Sequence, residues 1–427
     1  MKIIREIFRP EPEVLYLEPY FGCNFRCFCC VHGSELQSQP AELNPSVFEK
    51  LKPIIAKVRH VHFTGLGEPL LNRHLLDYLG YLREQGKSYY IITNGSLINE
   101  ALIDLMTTSR SELSVSLDAG NRQTYEYVRH RRYWPGIMAA LKRIAKVRAD
   151  RKTRFPLVYL TFHINAMNLL SLVQLPELCS ELGVDAVKLS WTHLPTQYRG
   201  YSLFNDQARV AELLDTVSSQ LQRGGIHVQS EAAFNKHERG CWALSTMAFV
   251  NASGTVAACC SRWITVGSLL ENRFEDIWNG MPRRKSCLAI LNGKPEESCR
   301  DCRQIRGVDY ETNAADFLKP DDLDKKILAE KARKPDKLPS LDGLASEFHS
   351  GIHALLGADL QAAVSIYSRL DERFPEFFEI KNNLAVSHYG LGNREKCREI
   401  LFQATEIPHN ERLIQWNLDV LRGASGN

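Results

Sequence analysis

Between residues 14 and 193, short apolar runs rich in β-branched residues alternate with longer stretches whose apolar positions recur every three to four residues. The short runs predict strands at 14–20, 59–64, 88–93, 112–117, 156–163 and 185–191, and the longer ones helices near 46–57, 74–85, 98–109, 135–149 and 168–182. Alternation of this kind builds βαβ units, hence a parallel sheet with right-handed crossovers. Six units predict an α/β fold, a partial (β/α)6 barrel over residues 12–205. Further on, Asp206 to Gln222 has the period of one amphipathic helix stopped by Gly224 and Gly225, and Ala248 to Ala258 reads as a β-hairpin turning at Asn251-Ala-Ser-Gly254.

In TIM-like barrels the chemistry gathers at the C-terminal ends of the strands, and the unusual residues of this chain fall there strand after strand. After the first strand comes Phe21-Gly-Cys-Asn-Phe-Arg-Cys-Phe-Cys-Cys30, in which Cys23, Cys27 and Cys30 are spaced C-x3-C-x2-C. Gly65-Leu-Gly-Glu-Pro69 follows the second strand, Thr93-Asn-Gly95 the third and Ser116-Leu-Asp118 the fourth; Asn168 comes shortly after the fifth, and Trp191-Thr-His193 ends the sixth. Three thiolates on one loop hold three irons of a cubane cluster and leave the fourth open, and an open position separates a catalytic metal site from a structural one. Zinc is the competing occupant, with Cys29 as a fourth ligand; the x3/x2 spacing favours Cys30 over Cys29. Taken alone, Gly65 to Pro69 and Thr93 to Gly95 are also ordinary turn sequences.

This register of motifs resembles the radical S-adenosylmethionine (SAM) enzymes, whose open iron chelates SAM and whose reduced cluster cleaves it to a 5'-deoxyadenosyl radical. The resemblance implies a SAM-binding 4Fe-4S cluster on Cys23, Cys27 and Cys30, with Gly65, Gly67 and Glu68 as the SAM-contacting motif and Glu68 accepting from the SAM ammonium. It places Asn94 by the methionine moiety, Ser116 and Asp118 near the SAM carboxylate and ribose hydroxyls, and Arg129 and Asn168 among the remaining cofactor contacts. Trp191 and His193 line a substrate cavity or simply pack.

A second cysteine set follows: Cys241, Gly254 and Cys259 as C-x12-G-x4-C, then Gly267-Ser-Leu269, Phe274-Glu-Asp-Ile-Trp278 and Cys299-x2-Cys302. Four thiolates complete one cluster with no position left over. The set resembles the SPASM/twitch extension of radical SAM enzymes and implies one auxiliary 4Fe-4S cluster in a small α+β domain at 206–310, since after Cys302 the next cysteine is Cys397. A structural zinc is the rival occupant. Cys260 is an alternative to Cys259, and Cys179 and Cys287 read as packed thiols.

Residues 311–337 are densely charged, as in a linker. Beyond them the pattern is helical: Ala354-Leu-Leu-Gly357 with Tyr367 returns as Tyr389-Gly-Leu-Gly392 with Phe402, a period of 35. That is close to the roughly 34-residue tetratricopeptide repeat and predicts an all-α repeat module at 338–424, including a helix at Glu411 to Leu421. Two repeats are too few to stand alone, so the module should pack on the rest of the chain or on another subunit.

Composition narrows the class. With 44% hydrophobic and 24% charged residues and a net charge of +3, the 427-residue chain has the make-up of a soluble globular protein with no call for a nucleic-acid partner. No apolar stretch reaches the ~20 residues of a membrane span, and the first thirteen residues lack a signal-peptide core. A cytoplasmic location is expected, where twelve cysteines serve metals rather than disulfides. The resemblance implies reductive SAM cleavage and hydrogen abstraction, followed by oxidation or crosslinking of a peptide or small molecule, with a flavodoxin- or ferredoxin-type electron donor. Epimerisation and a zinc-stapled scaffold that recruits protein partners through its repeats are the alternatives.

Overall fold

Val14-Leu-Tyr-Leu17 and His60-Val-His-Phe63 are too short for a helix to nucleate and rich in residues that suit a pleated surface, so they extend and pair. In a computed structural model, which describes residues 10–27, 30, 39–191, 203, 207–230, 243–259, 264–291, 299, 347, 350–351, 354, 359–373 and 378–404, these runs become β1 (Val14–Leu17) and β2 (His60–Phe63). They are followed by β3 (Ser88–Thr93), β4 (Ser111–Ser116), β5 (Leu157–Ile164), β6 (Ala186–Trp191), β7 (His227–Ser230), β8 (Met247–Val250), β9 (Thr255–Ala257) and β10 (Thr265–Ser268). All ten lie in one sheet, in the order β10-β9-β8-β1-β2-β3-β4-β5-β6-β7, and are parallel except for β9 and β10. The six expected strands are there within a residue or so, except that the first stops at Leu17.

The sheet is wider than six strands at both edges. The helix expected at Asp206 to Gln222 is α7 (Gln207–Arg223), and it crosses over to β7, which pairs in parallel with β6. At the other edge the expected hairpin is β8-β9, and β8 pairs in parallel with β1, Leu15 opposite Ala248.

Six helices cover the barrel strands: α1 (Pro45–Ile55), α2 (Leu75–Glu84), α3 (Glu100–Thr107), α4 (Arg122–Arg129), α5 (Trp134–Asp150) and α6 (Leu175–Leu182). Asn44, Asn99 and Asn121 cap α1, α3 and α4 by accepting from Val47, Leu102 and Thr124 N–H, which satisfies a donor that a helix start otherwise leaves orphaned. Leu15, Leu17, Val61, Phe63, Ile91, Leu113 and Val115 alternate along the strands and join the helices in one core. The opposite face is polar. Tyr16, His62, Tyr90 and Tyr159 form a chain of ring contacts at 4.5, 5.1 and 5.9 Å, and Tyr159 donates to Glu112 at 2.9 Å. Burial, reinforced by Arg110, pushes His60 down to about 3.

A short helix α8 (Ala243–Thr246), then α9 (Phe274–Trp278) and α10 (Met281–Leu291), belong to the hairpin side. The C-terminal helices α11 (Leu360–Arg373), α12 (Phe378–Gly390) and α13 (Arg394–Ala404) pack on one another around Tyr367, Leu384 and Cys397. Gly390 lies so close to Leu360 that a Cβ would force that side chain aside. The expected linker at 311–337 and the helix at Glu411 to Leu421 lie outside the described residues. No helix among the described residues is long and apolar enough to cross a membrane.

Candidate functional site at the C-terminal end of the sheet

β1 ends at Leu17, and the chain passes over the ends of β2 and β3 as the cysteine loop. The loop is held by backbone first: Glu68 N–H donates to Gly22 O at 2.8 Å. Gly67 sits where any Cβ would collide with Tyr20 O and with Gly22, and Gly65 is crowded in the same way by the Glu18 side chain. The two glycines are therefore demanded by the chain's own close approach, whatever ligand they also meet. Glu18, buried at the end of β1, accepts from Leu66 N–H at 2.9 Å and from Ala252 N–H in the β8-β9 turn at 3.5 Å.

Side chains from β3 and α4 then grip the loop. Asn94 donates to Asn24 Oδ1 at 2.8 Å and lies 3.9 Å from Cys23 Sγ. Arg131 donates to Asn24 O at 2.9 Å, and Arg129 donates to Cys27 Sγ at 3.4 Å. Arg129 and Arg131 thus fasten the cysteine loop.

Behind each sulfur contact stands a buried carboxylate. Glu68 accepts from Leu70 N–H, Thr93 Oγ1 and Asn94 N–H at 3.0, 2.6 and 2.7 Å. Burial outweighs those donors and pushes its pKa up. A carboxylate offers about four acceptor sites, so one remains on Oε2. Asp118 adopts φ 55°, the left-handed region that Asp tolerates better than most. Its Oδ2 pairs with Arg129 at 2.8 Å, and its Oδ1 accepts from His163 N–H at 2.8 Å and faces His163 Nδ1 at 3.0 Å. Burial pushes this carboxyl up, but Arg129 and His163 win and hold it below its ordinary value.

The expected residues are therefore placed as follows. Gly65, Gly67, Glu68, Asn94, Ser116, Asp118 and Arg129 gather around the cysteine loop; the Ser116 contribution seen here is its carbonyl, which accepts from Arg129. Asn168 is buried one loop away, its amide on Asn165 N–H, Asp118 O and His163 O. Trp191 is packed in the core, as strand-end tryptophans usually are, and His193 lies outside the described residues. In the second set, Cys259 follows β9 and Cys299 is buried, whereas Cys241, Cys260 and Cys302 lie outside the described residues. Cys179 is wholly buried, and Cys287 sits against Arg283 and Leu244 O, in keeping with packed thiols. Glu18 and His163 went unread in the sequence. Glu18 had the one available signal, a lone acid directly after an apolar run.

The donor chemistry suits thiolates. Burial, with Glu68 and Cys27 nearby, pushes the Cys23 thiol up to about 11, against Phe25 N–H at 3.4 Å and the Asn94 amide, which favour the anion. A soft cation removes that burden by binding the deprotonated sulfur. Among the described residues no three ligating side chains converge on one point; what the fold brings together is the loop, the N–H donors aimed at its sulfurs and the carboxylates behind them.

Comparison with known proteins bears on this arrangement. Residues 17–197 match the model of the radical SAM superfamily, and residues 241–303 match that of the SPASM iron-sulfur cluster-binding domain. The AdoMet-dependent heme synthase of Methanosarcina barkeri is 24% identical over 294 residues, 62% of this chain and 82% of that protein. The PqqA peptide cyclase of Granulibacter bethesdensis is 24% identical over 319 residues, 70% of this chain and 81% of that protein. Among solved structures, Streptococcus suis SuiB bound to S-adenosylmethionine superposes with a TM-score of 0.54 at 16% identity, covering 72% of this chain and 74% of SuiB.

Proposed function

From a radical SAM domain joined to a SPASM iron-sulfur domain, we propose that this chain reductively cleaves SAM and oxidises or crosslinks a peptide or small molecule. The observation that carries the reading is the pairing at the sheet's end: each of two loop sulfurs has a side-chain nitrogen against it, and each nitrogen-bearing residue has a buried carboxylate at its back. Cys23, Cys27 and Cys30 would hold a 4Fe-4S cluster that with SAM would supply a 5'-deoxyadenosyl radical for hydrogen abstraction, and Cys241, Cys259, Cys299 and Cys302 would hold an auxiliary cluster that would supply a one-electron acceptor.

The chain's own groups set up that chemistry. Arg129 and Asn94 donate toward the loop sulfurs and stabilise their charge. Glu68, its pKa raised by burial, has one acceptor site left and gains most from a cation such as the SAM ammonium. Arg129 is held rigid by Asp118, which fixes the guanidinium against Cys27. The likeness to a peptide cyclase supports a peptide substrate, and a flavodoxin- or ferredoxin-type donor would supply the electron for reductive SAM cleavage.

Anaerobic reconstitution tests this directly, with about eight irons per chain expected, four for each of two clusters. Replacing Cys23, Cys27 and Cys30 together by Ala should halve the iron and abolish dithionite-driven 5'-deoxyadenosine formation. Stoichiometric zinc with no iron would overturn the reading.

A further inference from the structure

Between β5 and α6 the chain makes a six-residue 3-10 helix, Leu169–Gln174. A 3-10 helix has three residues per turn, so positions three apart share a face, and here each of the three faces has a different neighbour. Leu169 and Leu172 enter the barrel core. Asn168, Ser171 and Gln174 face the β4 loop: Asn168 Nδ2 donates to Asp118 O at 3.1 Å, Ser171 Oγ accepts from Gly120 N–H at 3.1 Å, and Gln174 Oε1 accepts from Asn121 Nδ2 at 2.6 Å. The fit is tight, for a Cβ at Gly120 would overlap the Ser171 carbonyl. The third face meets the C-terminal helices, with Val173 also touching the barrel core. Leu170 is buried in the core of the C-terminal helices with Ala363, Tyr367, Leu370, Ile380 and Leu384, and Val173 packs beside it.

We infer that the C-terminal helical module is a positioning part of the catalytic end: by seating Leu170 and Val173 it fixes the 3-10 helix, which holds Asp118 and, through Asp118, the Arg129 guanidinium against Cys27. The inference rests on the proposed reading only in taking that end as the place where SAM is bound. Leu170 lies in the core of the C-terminal helices, apart from the core that the cysteine loop packs on. Its effect travels through Asn168 and the Asp118 backbone, a contiguous set of hydrogen bonds about three residues long.

The test uses the full-length chain with Leu170→Asp, and Phe402→Ser as a control, Phe402 being 74% exposed on the same module. In the metal-free protein, amide hydrogen exchange at residues 118–130 should speed up in Leu170→Asp and stay at the wild-type rate in the control. In the reconstituted protein, the KM for SAM in dithionite-driven 5'-deoxyadenosine formation should rise about two- to thirtyfold, the range expected for coupling through packed networks. The electron paramagnetic resonance signal of the reduced first cluster should shift less on adding SAM. Should Leu170→Asp fail to fold, Leu170→Ala takes its place, and Leu170→Met, which keeps the volume, should restore wild-type values. Unchanged exchange and unchanged KM in a folded Leu170 variant would overturn the inference. A wild-type chain that neither binds nor cleaves SAM overturns the proposed function instead, and the exchange measurement still decides the coupling.

Discussion

At the scale of single residues, the Arg129–Asp118 pair does two things at once, because the guanidinium that neutralises Asp118 is also the donor to Cys27. Removing one partner of a buried pair leaves an uncompensated charge, a loss of about 3–5 kcal/mol. Arg129→Met should therefore lower stability in urea titration by that order, and Asp118→Asn added to it should recover most of the loss. Equal and additive losses in the two single variants would show that the two side chains do not depend on each other. Position was legible here before partnership was. An acid at a strand end such as Glu68 or Asp118 announces itself by its register, but the groups it meets come from distant segments. His163, which shares Asp118 with Arg129, carries no motif at all; only the β4-β5 pairing brings it there.

At the scale of elements, the alternation that predicted the strands also decides which side of each strand is titratable. His60 and His62 project from β2 onto the polar face, and burial pushes both pKa values down. A histidine kept neutral by the fold takes up its proton only on unfolding, so its stabilisation is complete above pH ~6.5 and is lost as pH falls toward the folded value. Between pH 7.5 and 5.5 each should cost about 1.4 kcal/mol, close to 3 for the two. Urea denaturation at the two pH values measures it, and His62→Gln should remove about half of the slope. The expected single helix at 168–182 shows where periodicity fails. Pro176, at the start of α6, has no N–H to give and its ring crowds the carbonyl four residues back, so the preceding turn winds as a 3-10 helix and presents three faces instead of one.

At the scale of the whole molecule, the alternating barrel was legible because βαβ units are local, whereas the sheet's two extra edges were not, since pairing of β7 with β6 or of β8 with β1 is set by packing across long separations. Two repeats too few to stand alone implied a module packed on the rest of the chain or on another subunit, and the Leu170 seat predicts that truncation after Asp336 exposes Leu170 and weakens SAM cleavage, measurable as 5'-deoxyadenosine per cluster. For the second cysteine set, Cys299→Ala with Cys302→Ala should spare dithionite-driven 5'-deoxyadenosine formation while lowering iron by about four per chain. Loss of both would make the second set a scaffold for the first. The pairing of β8 with β1 also acts as a ruler. β9 runs back from the shared edge and delivers Cys259 two residues beyond its end, while β1 runs forward to the loop of Cys23 and Cys27. Cys259 and the start of the loop that carries Cys23 thus lie toward opposite ends of a four-residue strand, roughly 13 Å long at the usual rise. That offset is set by a hydrogen-bonded ladder and not by a hinge, so it stays constant when the loops at either end of the strand move.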